Sequence, residues 1–409
     1  MRSWRSASPF APRPHHPTPV HPCRSLALAS IVAGIAGTSV LVDEVGAQAT
    51  TWQVDPRPVL RLPATSEDGR TNFGTAAWAT RIGAEEIALA DGADRMVRIF
   101  GSDGRERRTF GRDGGGPGEF RSLGWIGTCG SDSLFVWDIV AGQMSVLHPR
   151  TGYARAWTNI ELGGPMKVDC SQGQEIAFPV RFRRGAHSRP VVNAATPDGV
   201  RYRIYLDTSD LQVVDAAGRP LRAVDGGVRH ESVSANLPSG RFASMERILG
   251  LETRIALAGD RTVLAYTDSG WVRSYDARGA LRSAFRIEPP RERPTDADVE
   301  AAVVALLRRT PGAAIESFGP AARAVPLPER APAFTDLLSS PDGLLWFVRS
   351  LPSARDTRLD VRRVDGTPVA TLTVPFALAI FEVGSDYLLG RVESEDGEQE
   401  LVLMRYRRR

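Results

Sequence analysis

Residues Val97 to Phe120 read VRIFGSDGRERRTFGRDGGGPGEF. Two short runs of alternating apolar and polar residues, Val97–Phe100 and Arg107–Phe110, flank the turn Ser102-Asp103-Gly104. Glycine accepts positive φ and proline presets a turn, so the stretch reads as a two-stranded hairpin with an exit loop at Gly114–Gly118. Weaker copies recur at Leu134–Trp157, Leu211–Val224, Val263–Phe285, Leu344–Leu372 and Tyr387–Tyr406, which makes six units. Each is preceded by a further strand-like segment: AAWATRI, LGWIGTC, PMKVDCS, RIALAG, TDLLSS and ALAIFEV. Turn glycines Gly104, Gly152, Gly218, Gly279 and Gly366 mark the repeat. The first interval is near the length of a four-stranded blade, and the later ones carry insertions.

Four strands per unit, period-two patterning and polar turns predict an all-β fold, a six-bladed β-propeller, over a sandwich or a doubly wound sheet. The last unit has only three strands of its own. The strand-like N-terminal segment Trp52–Leu62 (WQVDPRPVLRL) is expected to supply the missing outer strand and close the last blade, because an unclosed ring leaves a sticky edge. One segment departs from the pattern. Thr295-Asp296-Ala297-Asp298 opens the run VEAAVVALLRR, which predicts an N-capped helix from Thr295 to about Arg309, stopped by Thr310-Pro311. It belongs to a helical insertion over 289–332 between units four and five, and prolines from Pro320 to Pro332 return the chain to the fifth unit. A second insertion, Gly185–Tyr205, interrupts unit three.

The chain of 409 residues is 42% hydrophobic and carries a net charge of +3, which offers no electrostatic footprint for nucleic acid. Lys167 is the single lysine, and the tail Arg405 to Arg409 reads as a solvated end. Near the N-terminus, Arg24 precedes the apolar run Leu26–Val42, and Ala47-Gln48-Ala49 follows it. That order predicts a signal peptide over 1–49, cleaved after Ala49, with the propeller domain over 50–409. The run falls short of the ~20 residues that cross a bilayer, so no membrane span is expected after cleavage. A periplasmic or extracellular location follows. Export makes Cys129 and Cys170 candidates for a disulfide, with two buried thiols as the alternative.

The stretch ALADGADRMVRIFGSDGRERRTFGRDGGGPGEF resembles the NHL-repeat pattern of strand, Asp, polar turn, Arg, strand, Asp-Gly turn and G-x-G-P-G-E-F. The chain is similar to the secreted bacterial six-bladed β-propellers related to NHL proteins, as is the run from Pro332 to Trp346 after the helical insertion. The resemblance implies a propeller that binds other molecules, and in a minority of cases an enzyme.

Residues that carry chemistry are few. The glycines at Gly114–Gly118 lack the Gly-Lys-Ser/Thr of a phosphate-binding loop and open no helix, so they read as a connection. His148, His187 and His230 fall in a turn and two loops, a poor set for a metal. No catalytic residue, metal ligand or cofactor is assigned. Aligned at their last residue, second strands end in Asp91, Asp138 and Asp268 or in Arg181, Arg349 and Arg391. Aspartate there accepts turn N–H groups, whereas guanidinium only donates. The arginines are therefore candidates for holding an anionic ligand, a carboxylate or a glycan acid; salt bridges to the aspartates are the competing role. Trp125, Trp137, Trp157, Trp271 and Trp346 are expected to pack between blades, or to stack on sugars where exposed together. The expected function is a binding scaffold for an anionic small molecule, a glycan or an envelope protein. A metal-dependent hydrolase or lyase, lactonase-like or NHL-lyase-like, is the alternative.

Overall fold

The computed structural model describes residues 49–158, 168–179, 188–290, 292–309 and 312–408. Residues 1–48, expected to belong to a signal peptide, Arg181 and His187 lie outside the described residues. Among the described residues the strands form six sheets. The first consists of Ala76–Ile82, Glu86–Asp91, Met96–Gly101 and Glu106–Phe110, paired in that order. Val97 faces Phe110 across the last pair, and the turn between them carries Gly104 at φ 73°, a conformation that favours glycine. Later sheets begin at Leu123–Gly127, Asp169–Cys170, Thr253–Ala258, Asp336–Ser339 and Ala379–Val383, each overlapping one of the strand-like segments read from the sequence.

Alternation of side chains along each strand puts apolar groups on both faces, and neighbouring sheets bury those faces against each other. Ile99 meets Val136 between the first and second sheets. Trp137 and Phe178 share a cluster between the second and third, and Val213 and Leu264 between the third and fourth. Val272 and Phe347 do so for the fourth and fifth, Trp346 and Met404 for the fifth and sixth, and Leu389 and Leu89 for the sixth and first. The arrangement is propeller-like.

The N-terminal segment joins two sheets. Leu60–Pro63 pairs antiparallel with Gln399–Arg407, Leu62 opposite Leu401 and Leu60 opposite Leu403. Gln53–Val54 pairs with the far end of the same strand, and Thr50–Thr51 runs parallel to Pro368–Val374 of the fifth sheet. Between them Trp52 stacks on Tyr406, ring centroids 5.7 Å apart, and tilts against Trp346 at 5.5 Å.

Both insertions build one layer. Strands Arg201–Val214 and Pro220–Asn236 run on past the third sheet and pair with Ser188–Ala195 and Phe242–Glu246. Helices α1 (Asp296–Arg309) and α2 (Gly312–Ala324) cover one side of this extension, with Tyr202, Ile204, Val233 and Ala235 packed on Val303, Ala321 and Ala322. At the start of α1 the Thr295 hydroxyl accepts the Asp298 amide at 3.2 Å, and Asp298 accepts that hydroxyl's proton at 2.7 Å. Helix α2 was not expected from the sequence: Pro320, read as the start of the return to the fifth unit, sits inside it. Burial of Ala321 and Ala322 on the sheet outweighs the one lost backbone hydrogen bond.

Cys129 and Cys170 form a disulfide, Cα atoms 5.3 Å apart, which ties the end of Leu123–Gly127 to Asp169–Cys170. The two chains are in close contact beside it. A Cβ on Gly130, at φ 72°, would stand 2.0 Å from the Gln172 carbonyl oxygen, so only glycine fits. No helix among the described residues is long and apolar enough to cross a membrane.

Candidate ligand-binding cavity

The first strand of every sheet contributes to one cavity of about 410 Å³. Trp78 and Trp125 come from the first and second sheets, Asp169 and the disulfide from the third, and Leu257 from the fourth. Ser339 and Glu382 come from the fifth and sixth. The cavity lies toward the C-terminal ends of these strands, where each hairpin turns back.

Glu382 is the most constrained polar group there. One carboxylate oxygen accepts the Thr80 hydroxyl in a short hydrogen bond and the Arg81 amide at 3.2 Å; the other accepts the Tyr387 hydroxyl, also in a short bond. Burial pushes the Glu382 carboxyl above its ordinary value, and the hydroxyls of Thr80 and Tyr387 only partly oppose it. Burial, then the neighbouring Glu382 charge, pushes the Tyr387 phenol up as well, so it stays a donor. The Arg81 guanidinium covers the Tyr387 ring at 4.7 Å. On the opposite wall Asp169 accepts the Leu257 amide at 2.7 Å and the Ser339 hydroxyl at 3.3 Å. These carboxylates therefore both face the cavity and stitch neighbouring sheets: Glu382 the sixth to the first, Asp169 the third to the fourth and fifth.

The residues singled out in the sequence lie at the other end of the inner strands. Asp91 pairs with Ala76, Asp138 with Leu123 and Arg391 with Ala379, each the first residue of its strand. Asp91 accepts the amides of Gly74, Thr75, Ala93 and Asp94 at 2.9 to 3.3 Å and the Arg98 guanidinium at 2.9 Å. Asp138 likewise accepts the amides of Arg121, Ser122, Val140 and Ala141. Asp268 does not match them. Tyr266 takes the equivalent register position, opposite Thr253, and Asp268 is exposed two residues later in a turn. Arg349 donates to the Glu288 carbonyl at 3.3 Å and Arg391 to the Ala76 carbonyl at 2.7 Å. Asp91 has Arg98 of its own sheet as its ion-pair partner.

The glycine loop at Gly114–Gly118 wraps a carboxylate of its own chain, the Gly116 amide donating to Glu119 at 2.8 Å. His148 accepts the Arg150 amide at 3.2 Å, and His230 stands 3.4 Å from Asp207. Among the described residues no group of three or more His, Cys, Asp or Glu side chains is placed to share a metal ion. Trp137 and Trp346 are fully buried, Trp125 nearly so, and Trp271 is 43% exposed. The Glu382 site was missed because ALAIFEV was read only as a strand. An acid between Phe381 and Val383 on an innermost strand was the available signal.

No protein-family model matches the chain, and no curated protein matches it in sequence. Solved structures that resemble it include the WD40 repeats of RRP9, at 12% identity over 86% of this chain and 100% of that one, with a TM-score of 0.43. A member of the DUF4221 family from Bacteroides vulgatus is 8% identical over 88% and 100% of the two chains, with a TM-score of 0.45. A streptogramin B lyase is 8% identical over 85% and 97%, with a TM-score of 0.36. At these scores none carries an argument about what this chain binds or does.

Proposed function

We propose that the chain is an exported six-bladed β-propeller serving as a binding scaffold, and that its cavity holds a small hydroxyl- or amine-bearing molecule. The observation that carries this reading is the single cavity to which the first strands of all six sheets contribute. Its volume suits a small organic ligand, and the indoles of Trp78 and Trp125 beside carboxyl acceptors suit an apolar face with polar edges. A closed ring of six blades is supported by the apolar clusters between consecutive sheets, the sixth and first included, and by the NHL-like first unit. Export is supported by the apolar run before Ala49 and by the disulfide, which persists in oxidising compartments.

A thermal-shift screen with sugars, polyols and small amines tests the reading. At least one compound is expected to raise the unfolding temperature of the natural protein and to lose its effect in Trp78→Ala and Asp169→Asn, each compared with its own ligand-free baseline. No shift from any compound, or shifts that persist in both variants, overturns it.

A further inference from the structure

A second site lies between the third and fourth sheets, away from the cavity. The Tyr266 ring is buried there, its hydroxyl donating to the Gly227 carbonyl at 2.9 Å. Two guanidiniums lie against that one ring: Arg229 of the third sheet at 4.3 Å from its centroid and Arg273 of the fourth at 5.6 Å. Neither has an ion-pair partner among the described residues, unlike Arg98, Arg222, Arg247, Arg282 and Arg362. A ring quadrupole attracts two cations only weakly compared with a carboxylate, so the pair retains unused donor capacity.

Trp271 stands two residues before Arg273 on the same strand. Alternation places both on the side that faces the third sheet, about 7 Å apart along the strand. Trp271 is 43% exposed, whereas Trp52, Trp125, Trp137 and Trp346 are buried and Trp78 and Trp157 are half-buried. Directly across the outer pair, Arg286 faces Trp271; it is held by the Ser269 carbonyl at 2.9 Å and lies 3.5 Å from the exposed Glu288. This surface thus offers an exposed indole flanked by planar cationic donors.

We propose that this surface binds a carboxylate-bearing sugar, with the sugar ring stacked on Trp271 and its carboxylate held by Arg273 and Arg229. An indole face matches the apolar face of a pyranose, and guanidinium matches a carboxylate in plane. A bare anion has no use for the indole, and a neutral sugar leaves the arginines unanswered.

Isothermal titration with a galacturonic acid trisaccharide tests the proposal, with a neutral maltotriose and a triglutamate peptide as comparators. Saturable binding of the acidic sugar is expected, weakened about tenfold or more by Arg273→Ala and by Trp271→Ala. Both residues sit on an exposed surface, and unchanged circular dichroism checks that the variants fold. Binding is expected to survive Trp78→Ala, which separates this site from the cavity. The proposal is overturned by an absence of binding at millimolar trisaccharide, by affinity unchanged in both variants, or by triglutamate binding as tightly as the sugar.

Discussion

Asp91 and Glu382 are both carboxyls gripped by several donors, yet they titrate in opposite directions. Burial alone would raise Asp91, but the amides of Thr75 and Gly74 and the Arg98 guanidinium outweigh it, and its value is lowered. Its contribution to stability is present above the ordinary aspartate value of 3.8 and is lost as pH falls through the lower folded value. At Glu382 burial wins and the value is raised, so its contribution is present below 4.5 and is lost as pH rises through the folded value. The unfolding free energy of the natural protein relative to Glu382→Gln, measured in urea across pH, is therefore expected to decline as pH rises; an increase would contradict the assignment. Asp91→Ala leaves the Gly74 and Thr75 amides without their acceptor and Arg98 with only Asp94 and Glu106, and is expected to cost about 2–3 kcal/mol in denaturant titrations. The amide-accepting role of Asp91 and Asp138 was legible, because an aspartate at a strand end before a glycine or small-residue turn has few other uses. Asp268 was not, because its strand ends at Tyr266 and Asp268 falls inside the turn to Trp271, and strand-end alignment cannot see where the pairing stops.

At the scale of elements, hairpins and inner strands were readable because a period of two leaves little freedom about which face is buried. Helix α1 was readable from its acidic start, whereas α2 needed its partner sheet to exist before Pro320 could be tolerated. That two insertions more than 80 residues apart would share one apolar layer is a property of packing that neither stretch encodes alone. The third sheet shows a further dependence. Its inner strand, Asp169–Cys170, is only two residues long and pairs with Ala177 and Ile176 alone. The disulfide closes a span of 41 residues and, by chain entropy, contributes about 4 kcal/mol. Cys170→Ser, or reduction of the natural protein, is expected to lower the denaturation midpoint accordingly and to speed hydrogen exchange over 168–179. Unchanged exchange there would mean that the strand is held by Asp169 and the Gly130 contact instead.

For the whole molecule, the two chain ends meet in the sixth sheet. Deleting residues 50–63 is expected to bare the edge of Gln399–Arg407 and remove Trp52 from its stack on Tyr406, giving a protein that associates on size-exclusion chromatography. A monomeric, stable truncation would show that this pairing is dispensable. The same pairing constrains the timing of folding. Leu60 has no strand partner until Leu403 has been synthesised, so this early strand waits while the sheets between are made. The middle sheets pair strands that lie close in sequence and can assemble as they emerge, but the seam between Leu60–Pro63 and Gln399–Arg407 waits for both of its strands.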